Sequence, residues 1–161
     1  MKNKQIVLFG ATLALVLALV FWFAMPAYKF VVDLGILGES TIEFDFADST
    51  FGTSTTIGGT TIQGLKFSLL NLVPLVLLVL GLVLVVLKVL DIKLFANKNF
   101  DTVLITLFSV LSGIGFLLVI VFTGMTNDVD MDGFTLGMGA ILAGALSIVG
   151  GLLTFALNKV K

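Results

Sequence analysis

Apolar residues run through the chain in four long blocks, Ile6 to Met25, Phe67 to Leu90, Thr102 to Thr123 and Phe134 to Leu157, separated by more polar stretches. Each block is close to the roughly 20 residues that a helix needs to cross a hydrocarbon core about 30 Å thick. None carries a charge deep inside; Lys88 falls in the last turn of the second block, where its stem can snorkel to the surface. The pattern predicts an all-α membrane protein, a four-transmembrane-helix bundle forming a single integral membrane domain. The first block read as a cleaved signal peptide, with Lys2 and Lys4 as its basic region, fits less well. Its apolar stretch exceeds the ~7 to 15 residues of a signal core, and "FAMPAY" offers no small-x-small cleavage site.

Between the first two blocks, from Ala27 to Leu65, the period changes to two. In "STIEFDF" the side chains of Ile42, Phe44 and Phe46 fall on one face and those of Glu43 and Asp45 on the other. "TTIGGTTI" then sets Gly58-Gly59 between two threonine-rich runs, the signature of a two-residue hairpin whose turn needs positive φ. These stretches predict a small antiparallel β-sheet of three or four strands within this connection. Without a disulfide or metal so short a segment cannot bury its own core, so the sheet is expected to rest on the helix ends.

Lysine placement orients the bundle, because lysine-rich short loops stay cytoplasmic. Lys2, Lys4, Lys88, Lys93, Lys98, Lys159 and Lys161 fall with only Asp91 and Asp101 at the termini and second connection. The first and third connections hold Lys29 and Lys66 against Asp33, Glu39, Glu43, Asp45, Asp48, Asp128, Asp130 and Asp132. The expected arrangement is multi-pass in the cell membrane, both termini cytoplasmic and two acidic loops outside, so that the β-sheet belongs to the first extracellular loop.

Composition sharpens this. At 58% hydrophobic, 12% charged and mean hydropathy +1.20, the chain is too apolar for one soluble domain, where about a quarter of residues carry charge. A sequence pI near 5.1 and cations that are all lysine leave no basic footprint for nucleic acid. There is no cysteine and no histidine, which removes disulfides, thiol nucleophiles, Ser-His dyads and the usual zinc or haem ligands.

Small residues carry the next signal. Gly137, Ala140, Gly144, Ser147 and Gly151 recur at spacings of three and four, widened by Gly139, Ala143 and Gly150, and a shorter stripe of Gly10, Ala14 and Ala18 marks the first block. In lipid such stripes let helices approach closely, where van der Waals packing replaces the missing hydrophobic drive. They predict a tight bundle with the first and fourth spans as neighbours. Ser109, Ser112, Gly113 and Gly115 thin the third span. Pro74 removes a donor early in the second and is expected to kink it. Asn71, the most polar residue within any span, is expected to bond freed backbone or a neighbouring helix.

Candidate chemistry is sparse. "DVDMDG" places Asp128, Asp130 and Asp132 at positions 1, 3 and 5 of a calcium-loop pattern with Gly133 at 6, but position 12, where a bidentate glutamate belongs, is Gly139. The three aspartates are therefore candidate ligands for extracellular Ca2+, completed by the acidic first loop. The competing expectation makes Asp132 the N-terminal cap of the fourth helix. Thr102, Thr106 and Ser109 are candidate pore-lining residues if several copies assemble, although no charged ring or filter loop accompanies them. The only nucleophile and base in proximity, Ser68 and Lys66, stand two residues apart, which does not aim both at one point on a helix. No cofactor and no enzymatic activity are expected.

The four spans, cytoplasmic termini, long β-rich first outer loop and short second one resemble the claudin-type tetraspan arrangement in topology. Claudins carry a "GLW" and two cysteines in the first outer loop; here that loop has neither tryptophan nor cysteine, and Trp22 lies in the first span. The resemblance therefore implies no barrier or paracellular-pore role. The layout is also similar to that of uncharacterised small four-span proteins of low-GC bacteria, which implies no particular activity. The expectation is a non-enzymatic structural or accessory subunit, whose partners are the lipid bilayer and other membrane proteins or further copies of itself. The alternatives are a subunit of an oligomeric channel or transporter and a divalent-cation-responsive protein.

Overall fold

The computed structural model describes residues 2–33, 35–57, 60–92 and 98–157. The Gly58-Gly59 turn and Lys93, Lys159 and Lys161 lie outside the described residues. In order the elements are α1 (Lys2–Ala24), β1 (Pro26–Asp33), a 3-10 turn (Gly35–Leu37), β2 (Glu39–Asp45), α2 (Phe46–Phe51), β3 (Ser54–Ile57), β4 (Thr60–Gln63), α3 (Leu69–Val89), α4 (Lys98–Leu117), α5 (Val119–Asn127), β5 (Phe134–Leu136) and α6 (Met138–Ala156).

Four helical segments, Asn3–Ala24, Leu69–Val89, Phe100–Leu117 and Met138–Ala156, are long and apolar enough to cross a membrane. Phe9, Leu13 and Val20 on α1, Val76 and Val83 on α3, and Leu152 and Phe155 on α6 stay exposed, giving the bundle a greasy outer surface. The inner faces follow from helical spacing. On α3 the buried residues are Asn71, Pro74, Leu78, Gly81 and Val85, a seam of alternating threes and fours. The helices close into a ring in which α6 lies between α1 and α4, α4 packs on α3, and α3 returns to α1.

The central place of α6 comes from its glycines, which open two faces. Towards α4, a Cβ on Gly144 would stand 2.9 Å from Leu117 Cγ and 3.0 Å from the Gly113 carbonyl. Towards α1, a Cβ on Gly150 would stand 2.8 Å from Leu15 Cδ2. Hydroxyls stitch these close contacts: Ser147 donates to the Ser109 carbonyl at 2.8 Å, and Ser112 to the Pro74 carbonyl at 2.7 Å. In hydrocarbon such interhelical bonds replace partners that water would otherwise supply.

The expected strands are corrected at three points. The sheet is not built from the first connection alone: β1 pairs antiparallel with β2 and with β5, giving the order β2-β1-β5, and β5 comes from the connection before α6. β3 and β4 form a separate two-stranded hairpin, with Ile57 opposite Thr60. The alternation in "STIEFDF" ends early, because Asp45 is the last residue of β2 and Phe46 opens α2. Phe46 is buried, stacked on Trp22 at 5.6 Å and edge-on to Phe116 at 5.3 Å, while Ile42 is 46% exposed. Aromatic packing between α1 and α4 decides the conformation of Phe46 against its local pattern.

The last span begins later than its apolar run. Phe134 to Leu136 pair with Phe30 to Tyr28, and Gly137 donates its N–H to the Ala27 carbonyl at 2.8 Å before α6 starts. Gly137 is thus the cap residue, without a side-chain cap, and Asp132 caps no helix. The third run is also interrupted at Leu118, whose N–H is shared between the Ile114 and Gly115 carbonyls at 3.1 Å each, so that α5 forms a separate segment. α3, in contrast, continues as one helix through Pro74, whose ring packs on Gly115.

Candidate interaction site at the junction of sheet and bundle

Polar side chains buried among apolar helices must find partners or lose free energy, and at the sheet-bearing end several find them in one another and in nearby backbone carbonyls, while Thr50 Oγ1 and Asn71 Oδ1 stay without one. α2 is short, so its last carbonyls have no partner within the helix. The start of α3 supplies partners: Ser68 N–H donates to the Thr50 carbonyl at 2.8 Å, and Asn71 Nδ2 donates to the Ser49 carbonyl at 2.8 Å. The second Nδ2 hydrogen reaches Thr123 Oγ1 on α5 at 2.9 Å. Asn71, the polar outlier of the sequence, therefore ties α2, α3 and α5 together.

Neighbouring bonds extend the tie. Ser68 Oγ accepts from the Asn71 N–H at 3.2 Å and bonds Thr126 Oγ1 at 2.8 Å. Thr126 donates to the Phe122 carbonyl at 2.8 Å, so Ser68 is the donor in their shared bond. Asn127 donates to the Thr123 carbonyl at 2.9 Å and accepts from the Lys66 N–H at 2.8 Å. The segment leaving the hairpin is held as well: Thr53 and Leu65 exchange backbone and hydroxyl bonds of 2.9 to 3.0 Å.

Tyr28 on β1 is fully buried beside this network. Its hydroxyl approaches Thr123 without completing a hydrogen bond of ordinary geometry. Burial pushes its pKa up to about 12, Thr123 opposes the rise and the Asp48 charge adds to it. Tyr28 is the chain's one tyrosine, so the pH-dependent change in absorbance near 295 nm reports its ionisation. The folded protein is expected to titrate near pH 12 and the unfolded chain near 10; a folded midpoint at 10 would show the hydroxyl open to water. The neutral phenol is the form that the fold favours. Its contribution to stability is full below pH 10 and is lost as pH rises from 10 through 12.

Over this network Tyr28, Phe44 and Phe134 pack as three rings, with centroids 5.0 Å apart for Tyr28–Phe44, 5.7 Å for Tyr28–Phe134 and 6.1 Å for Phe44–Phe134. A cavity of about 160 Å³ opens against them, bounded also by Lys66, Asn127 and Met131. Its walls come from both connections at this end of the bundle.

The other sequence-selected residues fall elsewhere or apart. Asp128, Asp130 and Asp132 are exposed; Asp128 adopts φ 55° at the end of α5, and Asp130 Oδ1 accepts the Asp132 N–H at 3.1 Å. Among the described residues no group of three carboxylates is placed to hold a metal ion. Ala14, Ala18, Ala140, Gly144, Ser147 and Gly151 lie in the bundle interior, whereas a Cβ on Gly10 would meet Leu153 only at 3.6 Å. Thr102 and Ser109 are buried, and Thr106 donates to the Thr102 and Gly151 carbonyls, which turns all three into the bundle and its α4–α6 seam. Lys88 Nζ donates to Thr102 Oγ1 at the opposite end. Sequence reasoning missed Tyr28, Ser49, Thr123 and Asn127; a buried carbonyl partner such as that of Ser49 leaves no side-chain signal to find.

Fold and site together define a mostly helical protein with four helices of membrane-crossing length and apolarity and a three-stranded antiparallel sheet fixed to one end. No protein-family model matches the chain, and no curated protein matches it in sequence.

Proposed function

We propose that the chain is a non-enzymatic, multi-pass cell-membrane protein that serves as a structural or accessory subunit, contacting another membrane protein through its sheet-bearing end, which faces outside. The observation that carries this reading is the polar lock at the junction. Asn71, Ser68 and Asn127 bond across α2, α3 and α5, so the exposed side of the sheet is presented at a set angle and not on a loose tether. A surface ordered in advance loses less entropy when a partner docks. β2 supplies such a surface: among the described residues it pairs with β1 alone, and Ser40, Thr41, Ile42 and Glu43 are exposed along it. Its acidic residues Glu39, Glu43 and Asp45 discourage pairing between two copies of this edge while leaving it open to a complementary strand or basic patch.

Because the chain has no cysteine, single cysteines test placement without background. Thr41→Cys is expected to react with a membrane-impermeant maleimide on intact cells, and Lys4→Cys only after permeabilisation. A photo-crosslinking residue at position 41 is expected to give one reproducible protein adduct in native membranes, while the same residue at position 83 on the greasy face of α3 gives lipid. Reversed labelling would overturn the orientation, and adducts at position 41 confined to lipid would overturn the subunit reading.

A further inference from the structure

The cavity at the junction has the size and walls of a receptacle for one side chain. Its volume, about 160 Å³, is close to that of the dry protein cavity of roughly 150 Å³ known to admit benzene. Three aromatic rings and the thioether of Met131 line it, and methionine adapts its shape to what it meets. Aromatic-walled pockets of this kind are where anchors of protein interfaces seat.

Charge selects what surrounds the anchor. Val129 and Met131 form one side of the cavity, and the residues alternating with them, Asp128, Asp130 and Asp132, are exposed. Lys66 is the one charged residue in the cavity wall itself, and the three exposed carboxylates of the adjoining loop outnumber it. An acidic segment or anionic headgroup would meet net repulsion here, and a basic one attraction.

We infer that this pocket seats a single phenylalanine- or leucine-sized side chain from an extended segment of a partner protein, with lysine or arginine on both sides of that anchor. The inference rests on the reading of the chain as an accessory subunit and adds the chemistry of the partner segment.

The test uses the full chain in phosphatidylcholine nanodiscs, whose neutral lipid gives a basic probe little to bind. The probe is a capped, fluorescent five-residue peptide with central phenylalanine flanked by two lysines on each side. Saturable binding is expected, weakened about ten-fold or more when alanine replaces phenylalanine, and again when glutamates replace the lysines. Met131→Trp fills the cavity and is expected to abolish the preference for phenylalanine. Should that variant fold poorly, Asp128→Asn, Asp130→Asn and Asp132→Asn combined keep the side-chain shapes, and asparagine suits the left-handed backbone at position 128. This triple variant is expected to weaken the lysine peptide about ten-fold with an unchanged thermal midpoint.

Equal binding of the phenylalanine and alanine peptides, or equal binding to empty nanodiscs, would overturn the inference. So would a photo-crosslinker at position 129 that attaches in native membranes only to acyl chains or to a second copy of the chain. The two readings separate cleanly. A protein adduct at position 41 that persists undiminished in Met131→Trp counts against the pocket and leaves the subunit reading standing. No adduct in the wild-type chain, with peptide discrimination intact, counts against the subunit reading alone.

Discussion

Gly113→Val is expected to cost most of the folded bundle, whereas Gly10→Ala should leave it at least as stable as the native chain. A Cβ at position 113 would stand 2.6 Å from the Gly144 carbonyl and 3.1 Å from the Ile148 amide nitrogen. Both are backbone of α6, and backbone cannot swing aside as a side chain does, so α4 and α6 must separate. Overpacking a close-fitting interior costs about 1–3 kcal/mol and more when no neighbour can yield. Separation would also stretch the Ser147 to Ser109 bond and the Thr106 to Gly151 bond along the same seam. At position 10 the nearest atom is Leu153 Cδ1 at 3.6 Å, an ordinary contact, and alanine gains up to about 1 kcal/mol of helix propensity over glycine. Unfolding in mixed micelles, followed by the circular dichroism of purified protein, checks both. Similar midpoints for the two variants would mean that the α4–α6 seam does not hold the bundle.

That contrast also marks what could be read from the residues. Four apolar runs announce four helices because apolarity over some 20 residues is a local property. The stripe on the last run announces close packing, but not that Gly144 and Gly150 serve different neighbours; this depends on the ring order of the helices, which no single segment encodes. Phe134 to Leu136 read as helix since they are apolar and precede a helical run. They become strand because Phe30 to Tyr28, more than a hundred residues earlier, offer an edge to pair with. Phe46 reads as strand for the same local reason and turns helical between Trp22 and Phe116. Secondary structure thus departs from its pattern where a distant segment supplies the partner. At the junction, Asn71 was legible as a polar residue in an apolar run. Its partners were not: one is the Ser49 carbonyl and the other is Thr123, 52 residues away.

Asn71→Leu is accordingly expected to free α2 from the bundle while the helices remain assembled. The substitution keeps roughly the same volume in a site that is 3% exposed, so packing changes little. Two hydrogen bonds disappear, leaving the Ser49 carbonyl and Thr123 Oγ1 without that donor. Stranding buried polar groups costs about 1–3 kcal/mol each. Leucine offsets part of this, because it also removes Asn71 Oδ1, which is buried with no partner. A net loss of about 2 kcal/mol follows. It should be local, since the remaining ties between α2 and α3 are few, chiefly the Ser68 N–H to Thr50 carbonyl bond. Hydrogen exchange resolves this: the Gly52 amide, which bonds the Asp48 carbonyl at the end of α2, should exchange about 30-fold faster, as 2 kcal/mol implies. Amides of α4 and α6 should keep their protection. Thr123→Val removes one of the two bonds and should give about half the effect in free energy, and the double variant should cost less than the sum because both act on one network. Unchanged exchange at Gly52 in Asn71→Leu would show that aromatic packing of Phe46, and not the polar lock, holds α2 and with it the sheet.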